Sequence, residues 1–136
     1  MIRILLLDEH TEVRAQLAAR LGREPDFAIV CEPPTPTALL GCARQHQPHI
    51  VLVDPPPGDI HILRALTAIK QETTAAIVIL TSVVDTYFQV ELQRAGVDRI
   101  LTKGIESSDL VTELRAVATR PPTSPPGQMT RPTRDT

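Results

Sequence analysis

Five short apolar runs divide the chain, and they predict five β-strands. They are rich in Ile, Leu and Val and do not alternate strictly with polar residues, which is typical of strands covered on both faces of a parallel sheet. The runs are residues 2–7, 27–31, 50–53, 76–80 and 99–101.

The segments between the runs, and the segment after the last one, predict five helices, because apolar residues recur there every three or four positions. Thr35 and Asp85 stand where N-caps are expected, and Gly22 and Gly96 stand where helices end. Strands alternating with helices through right-handed crossovers give a doubly wound α/β sheet with helices on both faces. The apolar stripes are Val13/Leu17/Leu21, Leu39/Leu40/Ala43, Ile62/Leu66/Ile69, Phe88/Leu92/Ala95 and Leu110/Leu114/Val117.

Polar side chains stand at the carboxyl ends of four predicted strands. Asp8 and Glu9 follow the first strand, Asp54 the third, Thr81 the fourth and Lys103 the fifth. Taken singly, each could simply close a strand or begin a turn. Ligands of open α/β sheets bind outside the carboxyl ends of the strands, so we expect these side chains to meet in one site.

The predicted site combines three carboxylates, a hydroxyl and an ammonium group. Neighbouring carboxylates repel one another unless a cation relieves them, and hard oxygen ligands suit Mg²⁺ or Mn²⁺. Lys103 and Thr81 offer a charge and a donor to an incoming anion. Together these groups favour phosphoryl transfer to Asp54, which would give an acyl phosphate.

Composition narrows the class of protein. A chain of 136 residues is the size of one domain. Aromatic residues make up 2%, too few for a platform that stacks bases, and the net charge of −2 argues against binding nucleic acid or anionic lipid by charge alone. Residues 121–136 contain five of the thirteen prolines and little apolar surface, so residues 120–136 are expected to be a disordered tail or linker after a domain of residues 1–119.

No segment predicts a membrane span or an export signal. No apolar run approaches the ~18 residues of a span, and the apolar start leads into Asp8 without a cleavage site. Cys31 and Cys42 match no metal-ligand spacing and are interpreted as small buried hydrophobic residues in a reducing compartment. The four histidines show no ligand spacing; His10 beside the acidic pair and His61 in the loop after Asp54 could both face the site, but they are interpreted as polar surface residues. We therefore expect a cytoplasmic protein.

The chain resembles the receiver domain of two-component response regulators, the CheY-like fold, and is closest to the NarL/FixJ group. The resemblance covers residues 1 to about 119 and rests on motifs at most of the predicted elements. It implies a five-stranded sheet of order 2-1-3-4-5 with five helices. The motifs are ILLLDEH at 4–10 with VR at 13–14, EPDF at 24–27, PHIVLVD at 48–54, RAGV at 94–97, ILTK at 100–103 and LRAV at 114–117.

The resemblance also implies a role for each site residue. Asp54 would be the phosphoacceptor, Thr81 the switch hydroxyl and Lys103 the counterpart of the family's invariant lysine. A sensor histidine kinase would donate the phosphoryl group, so the chain would catalyse its own modification without being a conventional enzyme. The change of charge would then shift a population of conformations and alter partner binding. The implied Mg²⁺ ligands are the carboxylates of Asp8, Glu9 and Asp54 and the backbone carbonyl of Pro56.

Two departures from the family pattern keep an alternative open. The loop after Asp54 is one residue short and holds three prolines, and Pro56 keeps its carbonyl but has no N–H for a phosphoryl oxygen. Ile100 stands at the switch position where the family commonly has Tyr or Phe. The alternative is a receiver-fold protein–protein interaction module that does not switch by phosphorylation; a flavodoxin-like binding protein is a remoter one.

The sequence does not predict the output domain or partner on which this receiver-like chain would act. Members of the NarL/FixJ group usually continue into a helix-turn-helix domain, whereas this sequence contains no recognition helix. We therefore expect no DNA binding by these 136 residues, and either a single-domain regulator or a piece of a longer protein. Receivers of this kind often pair, so a homodimer is a further expectation.

Overall fold

A computed structural model describes residues 1–82 and 85–119. It contains one parallel sheet of order β2-β1-β3-β4-β5, as expected for a CheY-like fold. The strands are β1 (Ile2–Leu7), β2 (Phe27–Cys31), β3 (Ile50–Val53), β4 (Ala76–Thr81) and β5 (Arg99–Thr102). The helices are α1 (Thr11–Leu21), α2 (Leu39–His46), α3 (Ile60–Glu72), α4 (Thr86–Arg94) and α5 (Ser107–Ala118), with a 3₁₀ turn at Pro36–Ala38 before α2.

The near-continuous apolar strands have a core on each face of the sheet. Successive strand residues point to opposite faces, so Leu5 and Val51 pack against α2, α3 and α4, while Ile4 and Ile50 pack against α1 and α5. On both faces, the core residues that belong to the central strands are almost completely buried. This accounts for the absence of apolar–polar alternation, and the predicted doubly wound sheet is confirmed.

Among the local predictions one is confirmed, one holds only in part and one is wrong. Asp85 is the N-cap of α4, where its side chain accepts hydrogen bonds from the amides of Tyr87 and Phe88. Thr35 stands at the N-cap position of the 3₁₀ turn before α2, but its side chain makes no capping hydrogen bond, because its hydroxyl pairs with that of Thr37. Val13 is 40% exposed and not part of the core, since a spacing of four residues advances by about 40° around a helix at each step.

Cys31 and Cys42, which were predicted to be buried, are only partly buried in the structure. Residues 120–136, expected to form a tail or linker, lie outside the described residues. Across the described ranges, none of the helices has the length and apolar character needed to cross a membrane.

Candidate functional site

The parallel register places the predicted site residues at one edge of the sheet. Leu7 pairs with Val53 at the ends of β1 and β3, and the amide of Asp54 donates to the carbonyl of Leu7 at 2.9 Å. At the ends of β4 and β5 the amide of Lys103 donates to the carbonyl of Thr81 at 3.0 Å. The backbone therefore sets these residues side by side before any side-chain contact is considered.

Lys103 joins the two aspartates of this edge. Its Nζ lies 2.6 Å from Oδ2 of Asp8 and 2.6 Å from Oδ2 of Asp54. The side chains of Asp8, Asp54 and Lys103 are 1%, 12% and 20% exposed, so the cluster is recessed but not sealed. The structure thus brings together three of the residues singled out in the sequence, from three different strand ends.

The charges of this cluster shift its pKa values. Burial alone raises the pKa of Asp8, but hydrogen bonds from Lys103 and from the amide and ring of His10 outweigh it, and the pKa falls below its usual value. Burial lowers the pKa of Lys103, but the hydrogen bonds to Asp54 and Asp8 reverse this effect and the pKa is raised. At neutral pH the Lys103–Asp8 pair is therefore ionised.

His10 contributes to the site and is also exposed at the surface, so both interpretations from the sequence hold. Its amide donates to Oδ1 of Asp8 at 2.9 Å, and its ring Nδ1 lies 3.0 Å from the same oxygen, while 72% of the side chain remains exposed. Arg14 also donates to the backbone carbonyl of Asp8 at 3.0 Å. The only sequence signal for His10 was its position directly after the acidic pair.

Among the described residues, a set of potential metal ligands gathers at the same place. The donor atoms of Asp8, His10 and Asp54 all lie within 4.8 Å of one another. Glu9 is exposed and not part of this set; its place is on the wall of a cavity of about 240 Å³. The other residues of that wall are His10, Asp54, Pro55, Pro56, Pro57 and Ser82.

Thr81 and Ile100 lie next to the proline loop that follows Asp54. Thr81 is 8% exposed, and with Ile100 it lines a narrow gap beneath Pro55 and Pro57. Phe88 of α4 closes the same gap. Thr81 and Ile100, the residue at the switch position, therefore line the same gap. Thr81 is not among the residues that line the cavity beside Asp54.

The proline loop is built on a tight turn. The amide of Asp59 donates to the carbonyl of Pro56 at 3.1 Å, and Gly58 has φ +73°. Pro at the second position of such a turn and a left-handed Gly at the third are typical of type II. Oδ1 of Asp59 then caps α3 by accepting from the amides of His61 and Ile62. The short loop thus leads directly into the helix, and one of the two lone pairs on the Pro56 carbonyl is already in use.

A parallel sheet of order 2-1-3-4-5, with aspartates and a lysine joined at its carboxyl edge, defines the CheY-like class of signalling domains. The particular family follows from comparison with known sequences. Residues 4–115 match the response regulator receiver domain, and the chain belongs to this family.

Relatives of known name agree with this assignment. The chain is 29% identical over 119 residues to the transcriptional regulatory protein LiaR of Bacillus subtilis, which covers 87% of this chain and 56% of that protein. It is 26% identical over 115 residues to the response regulator protein VraR of Staphylococcus epidermidis, covering 84% and 55%. The chain therefore spans little more than half the length of these relatives.

Solved structures show the same fold. A two-component response regulator of the LuxR family from Aurantimonas sp. SI85-9A1 is 28% identical, with a TM-score of 0.75 over 91% of this chain and 89% of that one. The response regulator domain of Thermotoga maritima CheB has a TM-score of 0.77 over 90% of this chain and 99% of its own length; at 19% identity it supports the fold alone.

Proposed function

We propose that Asp54 accepts a phosphoryl group from a sensor histidine kinase and that the resulting charge switches the partner interactions of this receiver domain. The observation that carries the proposal is the contact of Lys103 Nζ with both Asp8 and Asp54 at 2.6 Å. A lysine that already neutralises the nucleophile and its neighbour is placed to receive the oxygens of a phosphoryl group.

The transfer uses few groups of the chain. A carboxylate oxygen of Asp54 forms a bond to phosphorus while the bond between phosphorus and the donor nitrogen breaks, and the donor imidazole keeps that electron pair. Oδ2 of Asp54 faces Lys103, whose ammonium can pass from the carboxylate to a phosphoryl oxygen as negative charge moves onto it. The hydroxyl of Thr81, at the end of β4, is the proposed donor to a second oxygen.

The donor set fits a hard divalent cation. The carboxylates of Asp8 and Asp54 converge, Glu9 lines the same cavity, and the carbonyl of Pro56 retains a lone pair beside its bond to Asp59. These are the oxygen ligands that Mg²⁺ prefers, and Mn²⁺ accepts the same set. The cation, when bound, offsets the charge of the carboxylates and of the phosphoryl oxygens.

Pro56 limits how well this site holds a phosphoryl group. A residue other than proline there would offer an amide donor, and a hydrogen bond to a charged group contributes about 1.5–3 kcal/mol. We therefore propose slower phosphorylation than in a receiver with that amide, with Lys103 and Thr81 as the principal donors.

The conformational response to phosphorylation is proposed to involve Thr81 and Ile100. Both lie beside Phe88 of α4, so a movement of the Thr81 hydroxyl toward Asp54 would open space against an aliphatic side chain rather than an aromatic ring. The partners that would sense this change, including an output domain and a second copy of the chain, are proposed by analogy with the longer relatives.

Intact-mass spectrometry after incubation with phosphoramidate or acetyl phosphate and Mg²⁺ tests the proposal. We expect one phosphoryl adduct on the full chain and none on Asp54→Asn. Asp59→Asn is the matched control, because it removes a carboxylate from the same loop while Asn still caps a helix. Absence of an adduct on the unsubstituted chain, with its fold intact by circular dichroism, would favour the interaction module that does not switch.

A further inference from the structure

The carboxylate of Asp8 has two oxygens, and different residues contact them. Oδ2 of Asp8 and Oδ2 of Asp54 both lie 2.6 Å from the ammonium group of Lys103. Oδ1 of Asp8 faces His10 instead: it accepts the amide hydrogen at 2.9 Å and lies 3.0 Å from the ring nitrogen Nδ1. A cation that leaves Lys103 in place would therefore bind Asp8 through the oxygen that lies beside an imidazole.

The imidazole belongs to the same set of potential ligands as the two aspartates. Asp8, His10 and Asp54 each offer one donor atom, and these atoms all lie within 4.8 Å of one another. Among the residues that the structure describes, no other histidine belongs to such a set. His10 and Asp54 also line the cavity of about 240 Å³, so an ion can reach both side chains from solvent.

The distance between the ring and the carboxylate suits a shared metal ion. Nitrogen and oxygen ligands lie about 2.0–2.2 Å from such an ion, so two ligands at a right angle are about 3 Å apart. This is the distance between Nδ1 of His10 and Oδ1 of Asp8, 3.0 Å. A neutral imidazole can carry its hydrogen on Nε2, which leaves Nδ1 as a ligand. Because 72% of the His10 side chain is exposed, water can accept that hydrogen.

We propose that Nδ1 of His10 is a ligand of a divalent transition metal ion held together with the carboxylates of Asp8 and Asp54. Imidazole suits ions such as Zn²⁺ and Ni²⁺, whereas Mg²⁺ takes oxygen ligands. The ring therefore makes the site prefer these ions over Mg²⁺. The inference rests on the cation site of the proposed function and refines which ion occupies it, but it does not depend on phosphorylation of Asp54.

The transition metal ion and Mg²⁺ compete for the site, because both use the two aspartates. Mg²⁺ would complete its oxygen ligands with Glu9, which lines the same cavity, and with the carbonyl of Pro56. The transition metal ion would take the nitrogen of His10 instead. His10 is thus the residue that distinguishes the two ions, although neither ion depends on it alone.

Long-range ¹H–¹⁵N correlation spectra of the histidine rings test the assigned ligand. The full chain, freed of metal, is titrated with zinc chloride and separately with magnesium chloride. We expect Zn²⁺ to shift the Nδ1 resonance of His10 and to hold the ring with its hydrogen on Nε2, and Mg²⁺ to leave Nδ1 nearly unchanged. If Zn²⁺ shifts the amides of Asp8 and Asp54 but not Nδ1, only oxygen ligands hold the ion and the inference is wrong. If neither ion causes a shift, the cation site of the proposed function is wrong as well.

Isothermal titration calorimetry measures what the ring contributes. Outer partners of metal-bound histidines are worth about 10–100-fold in affinity, so loss of the ligand itself in His10→Ala should weaken Zn²⁺ binding at least tenfold. The affinity for Mg²⁺ should change little. His61→Ala removes another exposed histidine, near the start of α3, and should bind both ions like the unsubstituted chain.

Comparing the variants separates the ring from the general difference in affinity between the two ions. Zn²⁺ held elsewhere, for example by the free thiols, is unaffected by His10→Ala and does not enter the comparison. An equal loss of Zn²⁺ and Mg²⁺ affinity in His10→Ala, or no loss of either, would overturn the inference. The ring spectra of the unsubstituted chain remain decisive if the variant folds poorly.

Discussion

Two lysine–aspartate pairs lie at opposite edges of the sheet, and they differ in what surrounds them. At the carboxyl edge Lys103 contacts Asp8 and Asp54 beside an open cavity. At the amino edge Lys70 Nζ lies 2.9 Å from Oδ2 of Asp98, and the two side chains are only 6% and 8% exposed. The residue types are the same, so the difference in role must come from their surroundings.

The amino-edge pair is enclosed by further protein contacts. Lys70 also donates to the carbonyl of Ala75 at 3.1 Å, and Oδ2 of Asp98 accepts from the amide of Ile77 at 2.8 Å. It therefore links the end of α3 to the starts of β4 and β5. The carboxyl-edge cluster is only partly enclosed, because Lys103 and Asp54 are 20% and 12% exposed and Asp54 lines the cavity, although Asp8 is buried. An enclosed pair holds structure together, whereas a half-open one can exchange partners.

Breaking the enclosed pair should have the largest effect on stability. Lys70→Met keeps the apolar stem but leaves the carboxylate of Asp98 buried without its cation, and removing one partner of a buried pair typically costs about 3–5 kcal/mol. Urea unfolding measures the change in the free energy of unfolding.

Lys103→Met is the matched substitution at the other edge. Asp54 borders the cavity, and the buried Asp8 keeps its hydrogen bond from the amide of His10, so we expect a smaller loss of stability together with a marked loss of phosphoryl incorporation. Equal loss of stability in the two variants would remove the distinction between the enclosed and the half-open pair.

Gly96 sharpens the comparison, because it packs against the stem of Lys70. A Cβ at this position would lie 2.7 Å from Cγ of Lys70, and the φ of +102° already strains any other residue. Gly96→Ala should therefore cost about 2–3 kcal/mol, from left-handed strain plus displacement of an anchored side chain.

Gly58→Ala is the control for the Gly96 substitution. Gly58 has φ +73° in the proline loop, with open space where the Cβ would stand, so it carries the strain without the displacement. If both variants lose the same free energy of unfolding in urea, the packing of Gly96 on Lys70 contributes nothing.

The two edges also differ in how far the sequence predicts them. At the carboxyl edge, polar residues directly follow apolar runs, and the fact that parallel strands end together was enough to bring Asp8, Asp54 and Lys103 to one place. Lys70 lies within a helix and Asp98 in a short connection, 28 residues apart, and neither follows a strand. Their pairing depends on how the end of α3 meets the connection that leads into β5, which no local pattern encodes.

Details inside the site were harder to predict for the same reason. The place of Glu9 on the cavity wall and of His10 against Asp8 depends on how the chain turns between β1 and α1. From residue type alone, the carboxylate of Glu9 was a better candidate for a metal ligand than the imidazole of His10. Likewise, the missing N–H of Pro56 could be predicted from its chemistry, but not the bond from Asp59 to its carbonyl.

Restoring the missing amide should strengthen the carboxyl-edge site. Pro56→Ala adds an N–H beside Asp54, and a hydrogen bond to a charged group at the low end of its range corresponds to about a tenfold faster phosphorylation. The rate of adduct formation with phosphoramidate measures it. Pro57→Ala, one residue further along the same loop, should leave the rate unchanged; an equal rise in both variants would indicate loop flexibility instead of the restored amide.

The smallest expected effect is a pH dependence at the amino edge. The amide of Arg3 donates to Nδ1 of His49 at 2.9 Å, so this nitrogen must be unprotonated. Burial, together with the charges of Arg3 and the amino terminus, lowers the pKa of His49. The unfolded chain then binds a proton more readily than the folded one, so this contribution to stability is present above the usual histidine pKa of about 6.5 and declines as the pH falls through that value.

His49→Asn tests this dependence against His61→Asn, which replaces an exposed histidine near the start of α3. Between about pH 8 and pH 5, the free energy of unfolding of the unsubstituted chain and of the His61 variant should fall together, while that of the His49 variant should fall less steeply. Three parallel curves would mean that His49 binds a proton equally readily in the folded and the unfolded chain and contributes nothing to the pH dependence. The acid sensitivity of the fold would then have to originate elsewhere than at the amino edge.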